Sequence, residues 1–196
     1  MADTLSTGSR GAASASAERT RSALLAAAEA VLLQGGDLTM RAVAAEAGVG
    51  ERTIYRYFES REALLEGTAA HISPRVGVPL CETADGLERY AADLFARFDE
   101  NRQLTVATVT SSWCQSFLGP SRATNLRALT ALLRDAHPAA PAPEVEAAAA
   151  SLRTVLSGAG WVYQRVSCGL DNEAVVAHAV WLVRLVRHRL EEAGRT

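Results

Sequence analysis

The chain contains no lysine: all 20 of its Lys-plus-Arg residues are arginine. That absence excludes the lysine of a phosphate-binding loop, a Schiff-base lysine and the SxxK nucleophile, each of which needs an ammonium group that arginine does not replace. Cysteine is scarce as well. Cys81, Cys114 and Cys168 form no CxxC pair, so neither a disulfide framework nor a zinc-ligand set is expected, and the thiols read as structural. Apolar runs are broken by charge well short of the ~20 residues a membrane-spanning helix requires. The first residues, MADTLSTGSRGAASASAE, hold no apolar segment of a secretory leader, and the expected location is cytoplasmic. Basic residues do not exceed acidic ones (20 against 22, net −2), which rules out a broadly cationic nucleic-acid coat. Positive charge for DNA would have to be concentrated on a small surface. His71, His137, His178 and His188 form no HExxH pair, and GxSxG is absent, so no enzyme, metal site or cofactor is expected.

What is present is helical periodicity over 196 residues, 48% of them hydrophobic. Residues 1–17, rich in Ala, Ser, Gly and Thr, offer little to bury and read as a disordered arm. From Arg19 onward, Leu24, Leu25, Ala28, Val31 and Leu32 recur on one face of a 3.6-residue period, and Gly35-Gly36 closes that helix. Thr39 has the chemistry of an N-cap for a short helix ending near Ala47. A further helix is expected to reach about His71 and stop before Pro74, followed by helices at 83–100, 103–118, 121–136, 143–167 and 171–191. LTVATVTSSW is rich in β-branched residues and could pair as a strand. Its Val106, Val109, Trp113 and Phe117 fall at helical spacing, and helix is the reading taken. The expected fold is all-α. It has a helix-turn-helix domain over residues 18–67 and a larger helical domain over 68–196.

The stretch GVGERT opens like a dinucleotide fingerprint, but Thr53 stands where the third glycine belongs and no strand precedes it. A different geometry fits. Val43, Ala44 and Ala47 line the inner face of one short helix, Gly48 suits a sharp turn, and Val49 plugs the angle. Gly50 is an acceptable N-cap for a helix from Glu51 to about Phe58. Ile54 and Phe58 would face inward, leaving Arg52, Thr53, Tyr55, Arg56 and Tyr57 outside. Helix, tight turn and short helix place the second helix in the major groove. Arginine donates in bidentate fashion to guanine, so Arg52 and Arg56 are candidate base readers. Thr39, Thr53, Tyr55, Tyr57 and Arg61 suit phosphate oxygens. Glu51 either balances the helix dipole or accepts from a cytosine amino group.

LTMRAVAAEAGVGERTIYRYFESREALLEG resembles the DNA-binding domain of the tetracycline-repressor (TetR) family of bacterial transcriptional regulators. The agreement runs from Arg19 to about Leu65 and rests on Thr39, Val43-Ala44, Ala47-Gly48-Val49, Thr53-Ile54-Tyr55, Tyr57-Phe58 and Ser60-Arg61-Glu62. The resemblance implies that Tyr55, Tyr57 and Arg61 hold phosphates while the residues around Arg52, Thr53 and Arg56 meet bases. Arg61 stands where the family usually has lysine, Gly50 where it has serine, and Arg52 where it has a small residue, so an operator sequence does not transfer. The DNA-facing set is thus Thr39, Gly50, Arg52, Thr53, Tyr55, Arg56, Tyr57 and Arg61.

In the C-terminal part, Ala148, Leu152, Val155, Ala159, Val162 and Val166 repeat at spacings of four and three, a helix-packing seam. The last helix, with Val176, Val183 and Val186, is apolar on more than one side and needs a second surface to cover it. Self-association through the last two helices, as the resemblance also implies, is the main expectation, with a monomeric core as the alternative. Arg184, Arg187 and Arg189 read as solvated charges. The resemblance further implies a small-molecule pocket. Phe98, Trp113, Phe117, Trp161, Tyr163 and Gln164 are the candidate lining residues, and few charged groups lie among them, which suggests a neutral, mostly apolar effector. The functional expectation is a homodimeric repressor released from a palindromic double-stranded DNA operator by that effector. A helical ligand-binding or adaptor protein without regulated DNA binding is the alternative.

Overall fold

The computed structural model describes residues 6–112 and 119–195, which form helices and turns with no strand among the described residues. Two compact units are present, Met1–Ile72 and Ser73–Thr196. The all-α expectation therefore holds, and LTVATVTSSW is helical through Thr110.

In the first unit, α1 (Ser6–Leu33) buries Leu24, Leu25, Ala28, Val31 and Leu32, the stripe read from the sequence. It also begins earlier than expected. Residues from Ser6 to Ala17 continue the helix rather than forming a disordered arm. Once the packed part of α1 has met the cost of nucleation, each added alanine or serine costs little even when its side chain is exposed. α2 (Met40–Glu46) is capped by Thr39, whose Oγ1 accepts the Ala42 N–H at 3.1 Å. The chain then turns at Gly48, where φ is +66°, a conformation that a Cβ would strain. The Gly48 and Val49 N–H groups reach back to the carbonyls of Ala45 and Ala44 at 3.1 and 2.9 Å, satisfying the end of α2.

α3 (Glu51–Ile54) is shorter than expected. Residues to Phe58 stay in tight turns, with Arg56 N–H on Thr53 O at 3.1 Å and Phe58 N–H on Ile54 O at 3.0 Å. α4 (Arg61–Val76) runs past Pro74 instead of stopping near His71. A proline in the final turn removes a single backbone bond, so the helix continues around it.

The second unit holds a 3-10 turn (Ala84–Gly86), α5 (Leu87–Glu100), α6 (Arg102–Thr110), α7 (Gly119–Ala136), α8 (Ala142–Val155), α9 (Gly158–Val162), a wide turn (Tyr163–Ser167) and α10 (Asn172–Ala193). The single helix expected over 143–167 is broken. Leu156, with ψ +57°, leaves the helical region. Ser157 starts a new helix by accepting the Gly160 N–H at 2.9 Å. Glycines at 158 and 160 weaken helix propensity at this point. α5 packs along α10, α7 against α8, and α8 against α10. Leu87, Ala91, Leu94, Phe95 and Phe98 form one buried face of α5, opposed by Val175, Ala179, Val183 and Leu190 of α10 and by Trp161. The rings of Phe95, Phe98 and Trp161 follow one another at centroid distances of 6.1 and 5.9 Å.

The arginines of α10 are not merely solvated. Arg184 pairs with Glu88 at 2.7 Å, Arg187 with Asp85 at 2.5 Å and Arg189 with Glu144 at 2.9 Å, tying α10 to elements distant in sequence. No described helix is long and apolar enough to cross a membrane.

Candidate nucleic-acid interface

The short helix divides its residues as its spacing requires. Ile54 and Phe58 are buried, while Arg52, Tyr55 and Arg56 are exposed and Thr53 and Tyr57 half-buried. An aromatic ring left 53% exposed at Tyr55, beside two exposed guanidiniums, leaves polar edges free for an outside partner. Gly50 precedes α3 in extended geometry without a side-chain cap, and its carbonyl accepts the Thr53 N–H at 2.8 Å. Glu51 lies 4.0 Å from exposed Arg41 across the turn, a partner that sequence reading did not anticipate.

Arg61 is positioned by more than its own helix. Its Nε–H donates to the Leu38 carbonyl at 2.8 Å, which links the start of α4 to the loop before α2 and leaves the terminal nitrogens for other acceptors. Ser60 accepts the Ala63 N–H through Oγ at 3.2 Å, a side-chain cap for α4. The neighbouring Glu62 carboxyl is held below its ordinary range, first by its own backbone N–H, then by Ser60 and the Arg61 charge. Behind α4, Gly67 faces Phe58 and Leu25, and the Arg21 guanidinium lies 5.2 Å from the Phe58 ring centre.

The second unit contains two adjoining cavities of about 400 and 280 Å³ that share Phe98, Asn125, Arg153, Ser157 and Gly158. Val109, Thr108 and Arg122 are among the further residues lining the larger, Tyr90 and Leu94 among those lining the smaller. Of the aromatic lining set expected from sequence, Phe98 is the member found there. Trp161 belongs to the core, with its indole N–H on Asn172 Oδ1 at 3.0 Å. Gln164 is buried against Gly160 O and His178 Nδ1, and Tyr163 is 64% exposed. Trp113 and Phe117 lie outside the described residues. Arg153 and Tyr90 were missed, although an arginine inside the apolar run AAAASLRTVL was a readable signal. Burial pulls the Arg153 guanidinium below its ordinary value, opposed by Tyr90 and reinforced by the charge of Arg122. Burial also raises the Tyr90 hydroxyl.

The seam expected for self-association is divided between core and surface. Leu152 and Val183 are fully buried within the chain itself and cannot also face a partner, a correction imposed by the break at Leu156 and by the packing of α10 on α5. Val155, Val162, Val176 and Val186 are half-buried, while Ala159 and Val166 are exposed. Tyr163, Leu170, Trp181 and Leu185 are also exposed, and Trp181 and Leu185 share one face of α10. No group of His, Cys, Asp and Glu able to hold a metal occurs among the described residues.

Residues 24–68 match the family described as bacterial regulatory proteins, tetR family. The HTH-type transcriptional repressor LfrR of Mycolicibacterium smegmatis is 44% identical over 55 residues, spanning 28% of this chain and 29% of that protein. A crystal structure of a TetR-like transcriptional regulator from Rhodococcus sp. RHA1 superposes with a TM-score of 0.61 at 19% identity, covering 84% of this chain and 93% of that one. That likeness carries the fold across both units. Over residues 24–68, where the helix-turn-helix geometry is already in place, the chain is similar to the tetR family of bacterial regulatory proteins.

Proposed function

We propose that the chain is a homodimeric repressor whose residues 18–67 bind a palindromic operator and whose residues 68–196 bind a small, mostly apolar effector and a second copy. One observation carries the DNA-binding part: Ile54 and Phe58 are locked inward while Arg52, Tyr55 and Arg56 stand exposed on the short helix after the Gly48 turn. A single short helix reads few bases, and two copies on a two-fold axis double the contacts. Support for the second copy comes from Tyr163, Val166, Trp181 and Leu185, large apolar side chains left exposed on the last elements. Support for an effector comes from the two cavities, whose sizes approach those of small-molecule sites. Ser73 and Val76 in the last turn of α4 line the larger cavity, so an occupant would press on the helix that Arg61 begins. An effector favouring one arrangement of that helix lowers operator affinity by its difference in affinity for the two arrangements.

The test is binding of the purified protein to the intergenic DNA beside its own gene, followed by fluorescence anisotropy. An inverted repeat should be bound there. Tyr55→Ala should weaken binding to every duplex, and Arg56→Ala should also relax discrimination between sequences, by ~1–3 kcal/mol at the base pair it reads. Parent-like binding by both variants would remove α3 from the interface.

A further inference from the structure

Arg153 is the residue that an apolar effector leaves unexplained. It sits in the last turn of α8, on the boundary shared by the two cavities. One terminal nitrogen donates to the Leu156 carbonyl at 3.2 Å, while Nε is buried with no hydrogen-bond partner among the described residues. Neither cavity has an aspartate or glutamate among its described lining residues. Several other arginines of the same unit are met by acids: Arg165 by Asp99, Arg184 by Glu88, Arg187 by Asp85 and Arg189 by Glu144. A guanidinium drawn out of water is costly unless an anion or several acceptors meet it. Arg122 adds a second positive charge to the larger cavity, and Asn125 and the Tyr90 hydroxyl add donors beside Arg153. Phe98 and Val109 give the larger cavity apolar lining, and Thr108, whose buried Oγ1 is also without a partner among the described residues, is a further lining residue.

We propose that the effector is an organic anion, an apolar body carrying one carboxylate, with the carboxylate on the Arg153 guanidinium and the body against Phe98 and Val109. This revises the neutral ligand suggested by the sequence, and it rests on the reading of the second unit as an effector domain. Arginine suits the task because its planar fork meets both oxygens of a carboxylate and stays charged even when partly buried.

Two fluorescent probes separate charge from shape: 8-anilinonaphthalene-1-sulfonate, and N-phenyl-1-naphthylamine, the same ring system without the anion. Each is titrated into the full chain, its Arg153→Gln variant and its Arg153→Lys variant, with circular dichroism melts confirming that the variants fold. The sulfonate should bind the parent at least about tenfold more tightly than Arg153→Gln, with Arg153→Lys between them, while the neutral probe binds all three alike. Decanoate should displace the sulfonate and decan-1-ol should not. Equal sulfonate affinity in parent and Arg153→Gln overturns the proposal. Binding of the neutral probe without the anionic one also overturns it but leaves the effector domain standing. Failure of both probes removes the effector reading itself.

Discussion

Arg61 donates its Nε–H to the Leu38 carbonyl at 2.8 Å, joining two segments 23 residues apart across the helix-turn-helix. A residue expected to hold phosphate therefore also holds the fold. Arg61→Ala should lower stability by about 1 kcal/mol and reduce the salt slope of DNA binding by about one unit. Arg61→Lys restores charge without the Nε geometry, so it should recover much of the DNA affinity and little of the stability. Urea melts and anisotropy at several salt concentrations separate the two effects. An unchanged melt for Arg61→Ala would show that the bond adds nothing to the fold.

Gly67 lies inside α4, where alanine would ordinarily be favoured by ~1 kcal/mol. Here a Cβ would sit 2.8 Å from Phe58 Cε1 and 3.2 Å from Leu25 Cδ2, both on buried side chains. Overpacking of this kind costs ~1–3 kcal/mol and outweighs the propensity gain. Gly67→Ala should lower the urea midpoint without changing the slope of the transition. A raised midpoint would mean that Phe58 has room to move.

Trp181 and Leu185 are 57% and 48% exposed, so replacing either leaves the chain's own core intact. Trp181→Glu and Leu185→Glu should convert a dimer into a chain of 20.8 kDa in light scattering, with circular dichroism unchanged. Val183→Ala acts on the buried face instead and should lower stability by ~1–3 kcal/mol. If the parent scatters as a monomer at micromolar concentration, the exposed face serves another purpose.

Glu88 is held below its ordinary 4.5, chiefly by the hydrogen bond from Arg184 and further by the charges of Arg184 and Arg187. A carboxylate with a depressed folded value stabilises the fold above its unfolded value and loses that contribution as pH falls through the folded one. Urea midpoints should therefore decline below about pH 4.5 more steeply in the parent than in Arg184→Ala. Parallel curves for the two proteins would mean that the pair is screened by solvent.

The helix-turn-helix was legible because its signals are local. Val43, Ala44, Ile54 and Phe58 mark their buried faces by spacing, Thr39 caps through a side chain three residues from its donor, and Gly48 takes a positive φ at the turn. Each of these is decided within a few residues. The same locality misled at Ser6–Ala17, where low hydrophobicity argued for disorder although the helix propagates from the packed part of α1.

The remaining structure depended on distance. Periodicity placed Leu152 and Val183 in a seam with Val166, and a period cannot tell an interior face from an exterior one. That choice fell to α5, which covers one side of α10, and to Ser157, which begins a new helix where the pattern ran on. Aromatic composition pointed to Trp161 and Tyr163 for the pocket, whereas packing buried one, exposed the other and brought Arg153, Tyr90 and Asn125 together from three separate elements. Local sequence was enough for the Thr39 cap, the Gly48 turn and the outward row of Arg52, Tyr55 and Arg56, because short-range sterics and burial periodicity suffice for them. Tertiary structure alone decided which apolar face stays exposed and which cation lines the cavity, because both depend on what the rest of the chain covers.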